Sequence, residues 1–194
     1  MGRRAAVNLD EHSSIVAPRL LGSILHGPNG SGRIVEVEAY GSADDPASHG
    51  HKGVTKRTKT VFGPTGHLYV YLSYGIHSCA NVVTGPEDEG QAVLIRAVES
   101  VEITADMAAA RSNVKRKLDI SNGPGKLCQA LGIELEHDGV DLCNQGSVVR
   151  LEFREPLDAA NIATTTRIGI SKAVDKPWRF TIANNQWVSL GPRG

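Results

Sequence analysis

Residues whose types and spacing could do chemistry fall in two stretches of the chain. Along 33–40, RIVEVEAY, side chains alternate with period two, as in a strand. Ile34, Glu36, Glu38 and Tyr40 are therefore expected on one face, and Val35, Val37 and Ala39 on the other. A carboxylate that can activate water, beside a ring on which a planar molecule can stack, is what hydrolysis of an N-glycosidic bond needs. Alternation alone leaves Glu36 and Glu38 equal candidates, and paired strand glutamates also occur simply as a hydrated face. The second stretch is 67–74, HLYVYLSY, which with Tyr40 holds all four tyrosines of an aromatic-poor chain. Tyr69 and Tyr71 share a strand face, a placement open to cross-strand packing as well as to stacking. Tyr74, next to Gly75 at an expected turn, has little core to pack against. Flanked by Ile76 and His77, it has the shape of a wedge that enters a minor groove and unstacks a base step.

Two loops offer further chemistry. Asp44-Asp45-Pro46-Ala47-Ser48-His49-Gly50-His51 contains an HxH pair near two aspartates, a weak metal signature without a third ligand at a convincing spacing. Gly123-Pro124-Gly125-Lys126, ahead of the apolar LCQAL run, opens a helix with free backbone N–H groups and a lysine. It reads equally as a phosphate seat and as a plain helix start.

The elements that must position these groups read as α+β. A helix is expected over 14–22 and a strand over 23–26, followed by a turn at Pro28–Gly32 and the strand 33–40. A long polar loop spans 41–60. A hairpin pairs 67–73 with 76–84 around Tyr74-Gly75, and another strand covers 91–98. The pattern over 101–117 is helical, a helix lies near 124–131, and short strands fall near 147–153, 165–170, 178–183 and 186–190. Short strands between closely spaced turn residues give a mostly antiparallel sheet. At 194 residues with 40% hydrophobic composition the whole chain, 1–194, is read as one domain.

Net charge is zero, so bulk electrostatics neither favours nor excludes an anionic partner. Its distribution is uneven: Pro46 to Pro86 holds no acidic residue, yet carries Lys52, Lys56, Arg57, Lys59 and four of the seven histidines. A second basic cluster, Arg111 and Lys115–Lys117, follows Glu99, Glu102 and Asp106. Cys79, Cys128 and Cys143 form neither a CxxC pair nor an even set, so free, mostly buried thiols in a reducing compartment are expected. The start of the chain, with Arg3, Arg4 and Ala6, shows neither a secretory core nor a myristoylation motif. No apolar run is long enough to span a membrane. The expectation is a soluble intracellular protein, in the cytoplasm or nucleoid of a bacterium or the nucleus of a eukaryote.

Taken together, RIVEVEAY, DDPASH, GHLYVYLSYGIHSCANVV, AVLIRAVE, NGPGKLCQAL, RIGI and KPWRF, in this order, resemble the alkyladenine (3-methyladenine) DNA glycosylase family of base-excision repair, from about Ala17 to Leu190. The resemblance implies a single-domain fold with a curved antiparallel sheet and a protruding hairpin that enters the DNA minor groove. Glu38 matches the general base and Arg96 the arginine that helps to hold the nucleophilic water. Tyr40, His49 and Tyr71 match the residues that sandwich the flipped base, Asn81 the asparagine that disfavours guanine, and Ile170 an apolar pocket wall. Tyr74 matches the intercalating residue, with Ile76 and His77 beside it at the hairpin tip. Thr55, Arg57 and Lys126 fall among backbone contacts, and Gly125 stands where the family carries serine. The implied activity is monofunctional excision of damaged purines (3-methyladenine, hypoxanthine or ethenoadenine types) from double-stranded DNA by a monomer, with no cofactor and no metal. Two other readings are a non-catalytic nucleic-acid-binding module that stacks bases on its tyrosines and a metal-dependent hydrolase built on His49 and His51.

Overall fold

The computed structural model describes residues 7–100 and 102–189. Arg3, Arg4 and Ala6, and Leu190 at the end of the expected last strand, lie outside the described residues. Strand β2 (Gly30–Tyr40) organises the sheet. One of its edges pairs with β5 (Gln91–Glu99) from Arg33 to Tyr40. The other edge is shared, Gly30–Arg33 pairing with β1 (Ile24–Gly27) and Glu36–Glu38 with β8 (Arg179–Ile182). Beyond β5 lie β4 (His77–Thr84) and then β3 (Leu68–Ser73). Beyond β1 lies β6 (Arg150–Glu152), and β7 (Ile162–Thr165) pairs with β8. Among the described residues every pairing is antiparallel and the eight strands form one curled sheet, which bears out the α+β reading.

The helices α1 (Ser13–Leu20) and α3 (Pro124–Leu131) cover one face. Val16, Leu20, Leu127 and Leu131 share a single core cluster with Val37, Val82, Val93 and Ile95, each such buried side chain contributing roughly 1.5–3 kcal/mol. Pro124 fits the first turn of α3, where its missing N–H costs nothing. Gly132 ends that helix in a left-handed conformation (φ 72°), its N–H bonding the Cys128 carbonyl. Elsewhere on the sheet Val61 and Phe62 pack against Tyr69, Val83 and Ala92, and Trp187 packs against Val35 and Ala97.

Where β2 meets β5 the register slips twice, leaving Val35 and Arg96 with no residue directly opposite. Such bulges re-aim side chains and recur beside functional sites. This corrects the simple alternation expected for 33–40. Ile34 joins Val37 and Ala39 in the main core, whereas Val35 packs with Ala97 and Trp187 on the other side. Glu36 and Glu38 are fully buried and not a hydrated face.

Other expectations also change. In place of a helix over 101–117, whose first residue Val101 lies outside the described residues, the one α-helix among the described residues of this stretch is α2 (Ala105–Ala110), capped by Thr104, whose hydroxyl accepts from the Met107 N–H. Met107 is its one fully buried anchor, and the following Ser-Asn pair and basic run supply no apolar stripe to extend it. The strand expected at 165–170 is displaced to β7, because Arg167 leaves the sheet edge for a buried ion pair with Asp45. No strand forms over 186–189, where the Asn185 side chain accepts from the Trp187 N–H and Ser189 bonds Glu36. Of the free thiols, Cys79 and Cys128 are buried and Cys143 is exposed. Among the described residues no helix is long and apolar enough to cross a membrane.

The β3–β4 hairpin turns at Tyr74 (φ 51°) and Gly75 (φ 75°), and the Ile76 N–H donates to the Ser73 carbonyl at 3.1 Å. Two left-handed central residues are what a type I′ turn demands, which suits Gly75 and strains Tyr74. Tyr74 is 93% exposed and Ile76 71%, so neither gains core contacts in return. Tyr74→Asn, which keeps the turn and tolerates this conformation, should raise stability by about 0.5–1 kcal/mol. A urea midpoint above the wild-type value is the expected result, and an unchanged or lower one would contradict the strain assigned to this turn.

Candidate active site

Strand register sets Tyr69, Asn81, Leu94, Glu38 and Arg179 in one transverse row across β3, β4, β5, β2 and β8. Residues far apart in sequence thus meet on one face without a flexible linker among them. Glu38 lies near the middle. Its Oε1 accepts from the Ile168 N–H at 2.7 Å, and its Oε2 from Arg96 Nη1 at 3.1 Å and the Tyr40 hydroxyl at 2.9 Å. A carboxylate has about four acceptor sites, and these three bonds leave one on Oε1. Glu36 serves differently: its Oε1 accepts from Arg96 Nε, Arg179 Nε and the Ser189 hydroxyl, and its Oε2 from the Ser189 N–H. Burial alone would lower the Arg96 pKa, but the charges of Glu38 and Glu36 outweigh it and hold the guanidinium above its ordinary range.

Beside this cluster opens a cavity of about 570 Å³, within the roughly 300–1,000 Å³ of small-molecule sites. Tyr40, His49, Tyr71, Asn81, Arg96 and Ile170, all expected at one site, line it together. Glu38 itself stands directly behind the wall, and its three donors, Tyr40, Arg96 and Ile168, all border the space. The rings of His49 and Tyr71 meet edge to face, with centroids 4.5 Å apart. His49 Nδ1 lies 3.1 Å from the Tyr69 hydroxyl, which fixes the imidazole. Burial, aided by the Arg57 charge, holds His49 below the usual imidazole range. Burial likewise pushes the Tyr40 and Tyr71 phenols up, with Glu38 adding to the first effect and Cys79 to the second. The walls are therefore neutral rings at pH 7. Asn81 Nδ2 donates to the Tyr69 and Cys79 carbonyls at 3.1 and 3.2 Å, which fixes the orientation of its amide on the cavity wall. Tyr69 is almost fully buried, so packing is its first role.

Tyr74 and Gly75 border the same cavity at its rim. Ile76 and His77 share the exposed hairpin tip but not the cavity lining. A Cβ at Gly125 would stand 3.0 Å from His77 Cβ, so the glycine lets α3 approach the hairpin closely. Lys126 Nζ donates to Asn122 Oδ1 at 2.8 Å, on the helix that brings Pro124 to the cavity. Thr55 and Arg57 line a neighbouring groove of about 530 Å³ with Lys52 and Lys172. The Thr55 hydroxyl pairs with that of Thr58, and the Arg57 guanidinium carbon lies 5.5 Å from the Tyr71 ring centroid.

Candidate metal ligands are otherwise engaged. Asp45 is paired with Arg167, Asp44 with Lys176, and His51 Nδ1 donates to the Ala43 carbonyl. Sequence reasoning missed Arg167, Ile168, Arg179 and Ser189. Arg167 and Ile168 fall in RIGI, but Arg167 and Asp45 are 122 residues apart and no local spacing links them. Arg179 follows from its pairing opposite Glu38, which only the fold reveals.

Residues 8–186 match the family model described as methylpurine-DNA glycosylase. Proteins named "Putative 3-methyladenine DNA glycosylase" are similar along most of their length. One from Burkholderia lata is 46% identical, covering 94% of this chain and 88% of its own. One from Methanoculleus marisnigri is 47% identical (90% and 92%), and one from Agrobacterium fabrum 49% (90% and 86%). With the match spanning both the Glu38 row and the aromatic cavity, the chain belongs to the methylpurine-DNA glycosylase family of DNA N-glycosylases.

Proposed function

We propose that this enzyme flips a damaged purine out of duplex DNA into the aromatic cavity and hydrolyses its N-glycosidic bond, leaving an intact abasic site. The observation that carries the reading is the buried Glu38 carboxylate, held by Tyr40, Arg96 and Ile168 behind the wall of a cavity lined with neutral rings. The base stacks between Tyr40 on one side and His49 and Tyr71 on the other. Water enters at the remaining acceptor site of Glu38 and gives up a proton to the carboxylate as its oxygen attacks C1′. The C1′–N bond breaks, and its electron pair leaves with the base. Carboxylate charge also stabilises the oxocarbenium-like sugar. A cationic base such as 3-methyladenine leaves neutral and gains roughly 0.5–2 kcal/mol of cation–π attraction when desolvated. Hypoxanthine or ethenoadenine needs a proton on the leaving group.

Tyr74, on its strained turn, fills the vacated place in the helix at a cost of a few kcal/mol of unstacking. Asn81 disfavours the amino group of guanine, and Ile170 closes an apolar side. Thr55, Arg57 and Lys126 contact the phosphate backbone, and Ile76 and His77 follow Tyr74 into the groove. The protein acts as a monomer. A pure binding platform would gain nothing from a buried carboxylate set directly behind its stacking rings.

Incubated with a hypoxanthine- or 3-methyladenine-containing duplex, the protein should release free base without nicking the strand, equally with and without chelator. Base release that needs added metal, or direct strand cleavage, would contradict the reading. Glu38→Gln should bind the same duplex and release nothing. Tyr40→Phe keeps the stacking ring and should excise within about tenfold of wild type, whereas Tyr40→Ala should lose roughly 1–3 kcal/mol of base binding. His49 is neutral at pH 7 and becomes cationic only as pH falls through its lowered pKa. Acidification should therefore depress excision of cationic 3-methyladenine more steeply than that of neutral hypoxanthine, and parallel pH profiles would remove His49 from the base contact.

A further inference from the structure

Against the Tyr40 ring, and outside the cavity lining, lies an ion pair whose two side chains are both fully buried, Arg167 with Asp45. Arg167 Nη1 and Nη2 reach the two Asp45 oxygens at 2.6 and 2.8 Å. Nη1 also donates to the Ala39 carbonyl at 3.0 Å, and the guanidinium carbon lies 4.7 Å from the Tyr40 ring centroid. Asp45 in turn accepts from the Gly41 and Ala47 N–H groups, which shape the loop leading to His49. The next residue after Arg167 is Ile168, whose N–H holds Glu38.

Stability alone is a poor reason to keep such a pair. Burying two charges costs solvation that mutual attraction only about repays, and apolar replacements of similar volume are often neutral or better. Here the cost is greater, because Arg167 Nε is buried with no acceptor. What the pair does deliver is geometry, since a planar fork bonds Asp45 and Ala39 while its face lies on the ring.

We infer that Arg167 and Asp45 are positioning residues for glycosidic hydrolysis, fixing at once the Tyr40 ring on which the base stacks and the Ile168 N–H that aims Glu38. Both side chains are fully buried and neither lines the cavity, and the inference rests on the role proposed for Glu38. Displacement by about 1 Å from a productive geometry can cost on the order of 10²-fold in rate. The step affected is therefore the chemistry, while the hairpin and the basic groove that grip the duplex remain intact.

The test compares single-turnover excision, lesion-duplex affinity and unfolding midpoint for wild type, Glu38→Gln, Arg167→Lys and the double variant Asp45→Asn/Arg167→Met. The double variant removes both charges, and its single asparagine oxygen can keep one of the two loop bonds, from the Gly41 or the Ala47 N–H. It should unfold near the wild-type midpoint and bind the duplex as wild type does, yet excise on the order of 10²-fold more slowly. Arg167→Lys keeps the charge but not the fork or the flat face, and it should show the same loss. If the double variant fails to fold, Arg167→Lys decides alone. A folded variant that excises at the wild-type rate overturns the inference. Excision by Glu38→Gln, or none by wild type, would instead sink the proposed function of the site.

Discussion

Two carboxylates share one guanidinium at the centre of this sheet, and the rest of the site is arranged around that fact. Arg96 bonds Glu36 through Nε and Glu38 through Nη1, in a region where all three side chains are buried. Arg179 supplies the second positive charge on Glu36. Removing one member would leave a buried charge unpaired, a loss of about 3–5 kcal/mol. The paired bulges at Val35 and Arg96 make the sharing possible, because they turn consecutive residues of two regular strands toward one point. A flat ladder would have sent Arg96 and Ala97 to opposite faces.

Around the cluster the glutamates divide their work. Glu36 is enclosed by Arg96, Arg179 and Ser189 and is committed to the scaffold. Glu38 is held by three groups that themselves form the cavity wall, so its carboxylate is one layer from the space where a base would sit. The rings stay neutral because burial raises the phenols and lowers the imidazole. The hairpin tip is the place where stability is least served, since a tyrosine there occupies a backbone conformation suited to asparagine or glycine and is exposed to solvent.

Much of this was legible in the sequence where local periodicity controls the outcome. The hairpin from Leu68 to Thr84 with its Tyr74-Gly75 turn, the strands around Glu38 and Arg96, and the helix opened by Pro124 all form as residue patterns dictate. Alternation does not distinguish Glu36 from Glu38, and only the resemblance carried by the ordered motifs implies Glu38 as the base. A bulge has no signature in one strand because it depends on the partner strand, so plain alternation puts Ile34 on the face opposite to the one it occupies. The helical pattern over 101–117 overreaches because Met107 is the only buried residue of α2 and no apolar stripe anchors the chain beyond Ala110. The Arg167–Asp45 pair, joining distant loops, has no local signature at all.

The claim that Glu38, and not its neighbour, carries the chemistry is tested most directly by comparing Glu36→Gln with Glu38→Gln at matched folded fraction. Single-turnover release of hypoxanthine from duplex DNA is the readout. The account predicts that Glu38→Gln is folded and inactive, whereas Glu36→Gln is less stable but still excises in its folded fraction. An active Glu38→Gln, or a folded Glu36→Gln with no activity, would contradict it.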